Sequence, residues 1–167
     1  MDVGLVKDRQ PFEHRIGLTP GGVKALTDRG HRVYVENDAG LGAGFSNEVY
    51  QQVGATVVYS EEDVLLRSEL VLRISPPQPS EYGRFQPGQT VLSSWHLALA
   101  PADRFSVLLE NKIATVGYEI IEDDDGHAPV LQAMSEIAGR LAVTLGAGLM
   151  LNEFGGKGLL IAGAPGI

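Results

Sequence analysis

The chain contains no cysteine, which excludes in one step a disulfide framework, a thiolate zinc site and a cysteine nucleophile. It also has no basic cluster: its 13 Lys and Arg are scattered among 21 Asp and Glu, for a formal charge of −8. Nucleic acid and anionic membranes are polyanions that select Lys/Arg clusters, so neither is expected as a partner. His14, His31, His96 and His127 lie far apart, and none has the i, i+4 partner of a helical zinc motif, so no metal site is expected.

Long hydrophobic runs are missing as well. The longest, residues 158–167, is about half of the ~20 residues a membrane-spanning helix needs. The opening Met1-Asp2-Val3-Gly4-Leu5-Val6-Lys7-Asp8 has no basic segment followed by an apolar stretch and is not a secretory signal, so a cytoplasmic protein is expected. Despite 21 glycines, no G-x-G-x-x-G follows a strand and no G-x-x-x-x-G-K-[ST] occurs. The glycine-containing loop 39–45 can be read as a phosphate cradle or as a plain inter-element loop; without fingerprint spacing the plain loop is preferred.

What is present reads as one ordinary globular domain. A chain of 167 residues buries roughly 70% of its unfolded surface, enough for a single core. Short β-rich runs at 3–6, 31–36, 56–59, 70–74, 90–94 and 114–118 alternate with segments of helical periodicity. Strand, helix, strand in repetition predicts an α/β fold: three layers, a mostly parallel sheet with helices on both faces, Rossmann-like or flavodoxin-like, without a dinucleotide-binding domain.

Helix punctuation agrees. Thr19-Pro20 opens a helix that Gly30 stops, Ser46 opens a second ended by Gly54, and Ser60 with Asp63 offers a capping pair for a third through Leu66. A fourth follows Pro101 to about Asn111. Asp123-Asp124-Asp125-Gly126 reads as a solvated turn rather than a calcium site. Met134, Ile137, Ala138, Leu141, Ala142, Leu145 and Leu149 recur every three or four residues, so a long helix is expected from about Ser135 to about Asn152. Beyond Gly155-Gly156, residues 158–166 form an apolar run closed by turn residues, read as a strand and turn cut from a longer protein, with a tucked-in terminal strand as the alternative.

Several segments carry more than architecture. Glu13-His14-Arg15-Ile16-Gly17-Leu18-Thr19-Pro20 follows the first strand; Gly30-His31 and Gly40-Leu41-Gly42-Ala43-Gly44-Phe45-Ser46 come next, then Trp95-His96-Leu97-Ala98, Tyr118-Glu119 and Met134-Ser135-Glu136-Ile137-Ala138-Gly139-Arg140. In order and separation these resemble the alanine dehydrogenase and pyridine-nucleotide transhydrogenase family over essentially the whole chain, nearest the alanine dehydrogenase branch. The resemblance implies a first domain with an amino- or keto-acid site and a second, Rossmann-type domain for the dinucleotide. On that pattern, residues 1–133 are a substrate-binding α/β domain, 134–153 a connecting helix and 154–167 the start of a segment leading to an absent cofactor domain, Gly163-Ala164-Pro165-Gly166 matching the family's turn.

The implied site residues suit that chemistry. Arg15 would bind the substrate carboxylate, because a guanidinium presents paired donors matching two oxygens; the bland alternative is a surface arginine. His96, at the C-terminal end of a strand, would be the catalytic acid/base, its imidazole titrating near neutrality; the alternative is a packed histidine beside Trp95. The family's L-K-[VI]-K-E-P reads Leu72-Arg73-Ile74-Ser75-Pro76-Pro77 here. Ser75 thus stands where a substrate-contacting lysine is usual, and a hydroxyl cannot neutralise a keto oxygen as an ammonium does. Arg73, on the same strand face two residues earlier, would reach the cleft only with a rearranged substrate pose. Met134 is expected over the substrate, or else as core filler, and Ser135 near the cofactor.

The resemblance therefore implies the substrate-binding portion of an NAD-dependent amino-acid dehydrogenase, converting L-alanine to pyruvate and ammonia. NAD is expected for the complete enzyme and no tightly bound cofactor for this chain alone. The partners are a small 2-keto or 2-amino acid and either a cofactor-domain chain or a homo-oligomer. The alternatives are a non-catalytic small-carboxylate binding or regulatory module, favoured by Ser75, and a transhydrogenase alpha-subunit-like domain, disfavoured by His96 and the Met134–Arg140 segment.

Overall fold

A computed structural model describes residues 1–96 and 102–163, with residues 102–105 described as helical backbone only. Leu97 and Ala98, Pro101 and the expected turn at 164–166 lie outside the described residues. The chain forms two compact units, Met1–Glu119 and Ile120–Ile167.

The first unit holds β1 (Asp2–Leu5), α1 (Pro20–Thr27), β2 (Arg32–Glu36), α2 (Asn47–Gln52), β3 (Thr56–Val58), α3 (Glu61–Arg67), β4 (Leu70–Leu72), β5 (Thr90–Ser93), α4 (Ala102–Glu110) and β6 (Ala114–Gly117). All six strands pair in parallel in the order β3-β2-β1-β4-β5-β6. Each expected strand is present, trimmed or shifted by a residue or two at its ends. The order selects the Rossmann arrangement over the flavodoxin one.

Alternation along the strands fills two cores. Val3, Leu5, Val33, Val35 and Leu72 pack on one face with Val23 of α1 and Tyr50 of α2. Val71 and Val91 pack on the other with Val64 and Leu65 of α3, Trp95 and Leu108 of α4. Gly4 faces α3 so closely that a Cβ there would meet Ser68 Oγ at 2.3 Å and Val64 at 2.5 Å; the missing side chain sets the helix–sheet spacing.

Local chemistry fixes the helix ends. The Thr19 side chain accepts from Gly22 N, and Pro20 fills the first turn, where its missing N–H costs nothing. Ser60 accepts from Asp63 N, with Glu61, Glu62 and Asp63 placed favourably against the helix dipole. Ser46 occupies the N-cap of α2, although its hydroxyl makes no cap bond.

The second unit departs from expectation twice. Its long helix, α5, spans Pro129–Leu149 rather than 135–152. Pro129 sits at the N-terminus with its φ already set for a helix, so the helix starts about six residues earlier than the apolar repeat suggests, and Met134 and Ser135 lie in its second turn instead of opening it. The run from residue 158 forms no strand among the described residues; it closes in a turn through Gly163 N–H to Leu160 O at 2.9 Å. The acidic segment forms an exposed turn: Asp123 Oδ1 accepts from Asp125 N at 3.0 Å and His127 N at 2.8 Å. No helix among the described residues is long and apolar enough to cross a membrane.

Candidate functional site

In an open parallel sheet the chain leaves neighbouring strands toward opposite faces where the order reverses, and the crevice at that point, beyond the strands' C-terminal ends, is where ligands bind. Here the reversal lies between β1 and β4. The segments leaving those two strands carry Arg15 and Ser75, and Asp8 joins them: its Oδ2 accepts from Ser75 N at 2.7 Å, and it lines a cavity of about 220 Å³ together with Lys7, Glu13, Arg15 and Gly42.

Arg15 is presented at this cavity by the loop between β1 and α1. Glu13 Oε1 accepts from Arg15 N at 2.9 Å and from Arg15 Nε at 2.8 Å, while Oε2 accepts from an Arg15 terminal nitrogen at 2.5 Å. The Arg15 hydrogen bond is the main cause that holds the Glu13 carboxyl below the usual carboxylate range, and the same bond raises the Arg15 guanidinium further. Tyr50 Oη donates to Leu18 O at 2.9 Å and ties the loop's far end to the core. The loop 39–45 is a packing element: a Cβ on Gly42 would lie 3.1 Å from the His14 main chain, so the glycine permits its close approach to the Arg15 loop.

Ser75 is half-buried. The expectation that Arg73 shares a strand face with Ser75 is corrected by the structure. β4 stops at Leu72, so strand alternation does not extend to residues 73 and 75. Arg73 is 5% exposed; its Nε donates to Ser75 O at 2.7 Å, and its guanidinium lies 3.5 Å from Glu81 and 3.8 Å from Glu61. Glu61 also pairs with Arg84 at 3.2 Å and Arg9 at 3.5 Å, and Arg9 reaches Glu36 at 2.5 Å. This network at the sheet's C-terminal edge absorbs Arg73; no sequence motif announced it, because its members lie on separate elements.

His96 follows β5, whose exit runs beside that of β4, with Ser94 N donating to Ile74 O at 2.9 Å. The packed-histidine alternative is overturned: His96 is exposed, while Trp95 is buried and donates its indole N–H to Val91 O at 3.0 Å. The His96 backbone is left-handed, φ 48°, and its N–H donates to Glu119 Oε1 at 2.6 Å. Met134 and Ser135 are exposed on α5, in the second unit. The structure thus gathers Arg15, Ser75 and His96 on one edge of the sheet; sequence reading missed Asp8, whose contact with Ser75 depends on which strand ends are neighbours, and Glu13, whose i, i+2 spacing to Arg15 was the one local signal.

The β1–α1 junction does not suit a dinucleotide. The residues between Leu5 and Pro20 contain a single glycine, Gly17, and the Thr19 side chain already takes the Gly22 N–H at 3.4 Å. A pyrophosphate needs a tight glycine turn with open amide donors at this point.

Comparison with known proteins identifies relatives of this chain and its fold. The family model described as alanine dehydrogenase/PNT, N-terminal domain, matches residues 4–138. An alanine dehydrogenase of Methanococcus maripaludis is 37% identical over 167 residues, which is all of this chain and 44% of that protein. A solved L-alanine dehydrogenase superposes with a TM-score of 0.86 at 38% identity, covering 100% of this chain and 46% of its own. A transhydrogenase from Sinorhizobium meliloti, at 24% identity and a TM-score of 0.66 over 72% of this chain and 34% of its own, shares the fold. The chain spans a little under half the length of the alanine dehydrogenases it matches.

Proposed function

Because the chain belongs to the alanine dehydrogenase/PNT N-terminal domain family, we propose that residues 1–167 supply the acid-binding half of an NAD-dependent alanine dehydrogenase-like oxidoreductase. The observation that carries this reading is Arg15, presented by Glu13 at the rim of the cavity beside the β1/β4 reversal. A guanidinium so placed grips the carboxylate of pyruvate or alanine and fixes which face of the α-carbon is presented. His96, exposed at the adjacent strand end, exchanges a proton with the substrate oxygen. Ser75 borders the substrate with a hydroxyl in place of the lysine that the family resemblance implies.

The hydride carrier would be NAD, and the junction after β1 does not suit it, so this reading assigns its binding outside that junction, to a cofactor domain in the same or another chain. Supplying such a domain by fusing the C-terminal half of the Methanococcus maripaludis relative tests the proposal. Alanine-dependent NADH formation that is lost on His96→Ala and Arg15→Ala supports it; activity indifferent to both contradicts it.

A second reading, a non-catalytic module that binds small carboxylates, draws on Ser75 together with the engagement of Arg73 by Glu61 and Glu81. Neither residue then offers a cation to a keto oxygen. A fusion that binds pyruvate through Arg15 yet turns over no alanine favours this reading.

A further inference from the structure

The His96 backbone occupies the left-handed region, φ 48°, which costs a non-glycine residue energy that the surroundings must offset. What offsets it comes from the neighbouring strand. Ser93, the last residue of β5, pairs in register with Gly117, the last residue of β6, so the two chains leave the sheet side by side. Glu119, two residues beyond Gly117, folds back over that glycine and accepts the His96 N–H at 2.6 Å. A Cβ on Gly117 would lie 2.7 Å from Glu119 Cδ and Oε1, so the absence of a side chain there is what makes room for the carboxylate. The second oxygen, Oε2, is buried with no hydrogen-bond partner among the described residues. The carboxylate thus makes one charge-assisted bond, to one amide, while its second oxygen is kept from water.

We propose that Glu119 is a positioning residue for His96: its carboxylate, seated in the space left by Gly117, pins the His96 main chain and thereby sets where the imidazole stands at the sheet edge. This role rests on the acid-binding reading above, in which His96 meets the substrate. Glu119 itself contacts the backbone of His96 and acts only through it.

Nuclear magnetic resonance on the 15N-labelled chain tests this, with pyruvate as probe and Glu119→Ala, Glu119→Gln and Gly117→Ala as variants. Gly117→Ala keeps Glu119 but expels its carboxylate, which is the flexible end of a side chain and can swing away without disturbing the sheet. In wild type the His96 amide should exchange slowly with solvent. Glu119→Ala and Gly117→Ala should speed that exchange roughly tenfold or more, the scale of a lost charge-assisted bond, and Glu119→Gln should retain part of the protection. Pyruvate should move both the Arg15 Nε and the His96 ring resonances in wild type. In Glu119→Ala and Gly117→Ala it should still move Arg15 with an unchanged dissociation constant, but not His96. Unchanged His96 exchange in both variants, or a His96 ring response that survives them, overturns the positioning role. Failure of pyruvate to move Arg15 even in wild type overturns instead the acid-binding reading beneath it, and the amide data distinguish the two failures.

Discussion

Glu13 holds Arg15 at three points, its two carboxylate oxygens taking the Arg15 backbone N–H at 2.9 Å, Nε at 2.8 Å and a terminal nitrogen at 2.5 Å. Its folded pKa is lowered by this grip, so the stability it contributes is fully present above the unfolded carboxylate value of about 4.3 and is lost as pH falls through the lower folded value. Arg15 is half exposed, so the contribution is at most about 1 kcal/mol and salt-sensitive. Melting of wild type against Glu13→Gln should show a constant gap from neutrality to about pH 5 that closes below about pH 4. A gap that widens on acidification contradicts the assignment.

Arg73 is a structural cation. Arg73→Ala leaves Glu81 and part of Glu61 without their partner in a buried setting, and should cost about 2–4 kcal/mol in urea unfolding at unchanged slope. Pyruvate affinity should change little. A variant of near wild-type stability that has lost pyruvate binding would move Arg73 from the core to the cleft.

On the proposed reading, Ser75 is the position where the site is short of a charge. Ser75→Lys should tighten pyruvate about tenfold, the scale of one charge-assisted hydrogen bond, and Ser75→Ala should alter it little. Titration calorimetry reads both. A large loss from the alanine variant would show that the hydroxyl itself contacts the ligand.

Calorimetric titration of the chain with NADH should give no affinity in the low micromolar range, about −8 kcal/mol, because the β1–α1 junction offers no open amide cradle. Affinity at that level would place a dinucleotide site within residues 1–167.

The six strands and the caps of α1 and α3 were legible because each rests on local signals: alternation, Thr19-Pro20, and Ser60 with Asp63. The start of α5 was misjudged because the apolar repeat begins at Met134, whereas Pro129 sets the helix in motion earlier. The surroundings of Arg73 were not legible at all: Glu61 and Glu81 come from different segments, and nothing local shows that they converge on one guanidinium. Arg15 and His96 stood out only through the resemblance. Glu13 lies two residues from Arg15 in the same loop, whereas Glu119, which holds His96, required knowing which strand ends are neighbours.

On the proposed reading Arg15 binds a small carboxylate, and thermal unfolding in pyruvate measures that. At 100 times its dissociation constant pyruvate should add roughly 2.7 kcal/mol to wild type and nothing to Arg15→Ala, with ligand-free stabilities within about 1 kcal/mol of each other. Equal protection of both proteins, or protection of neither, would contradict it.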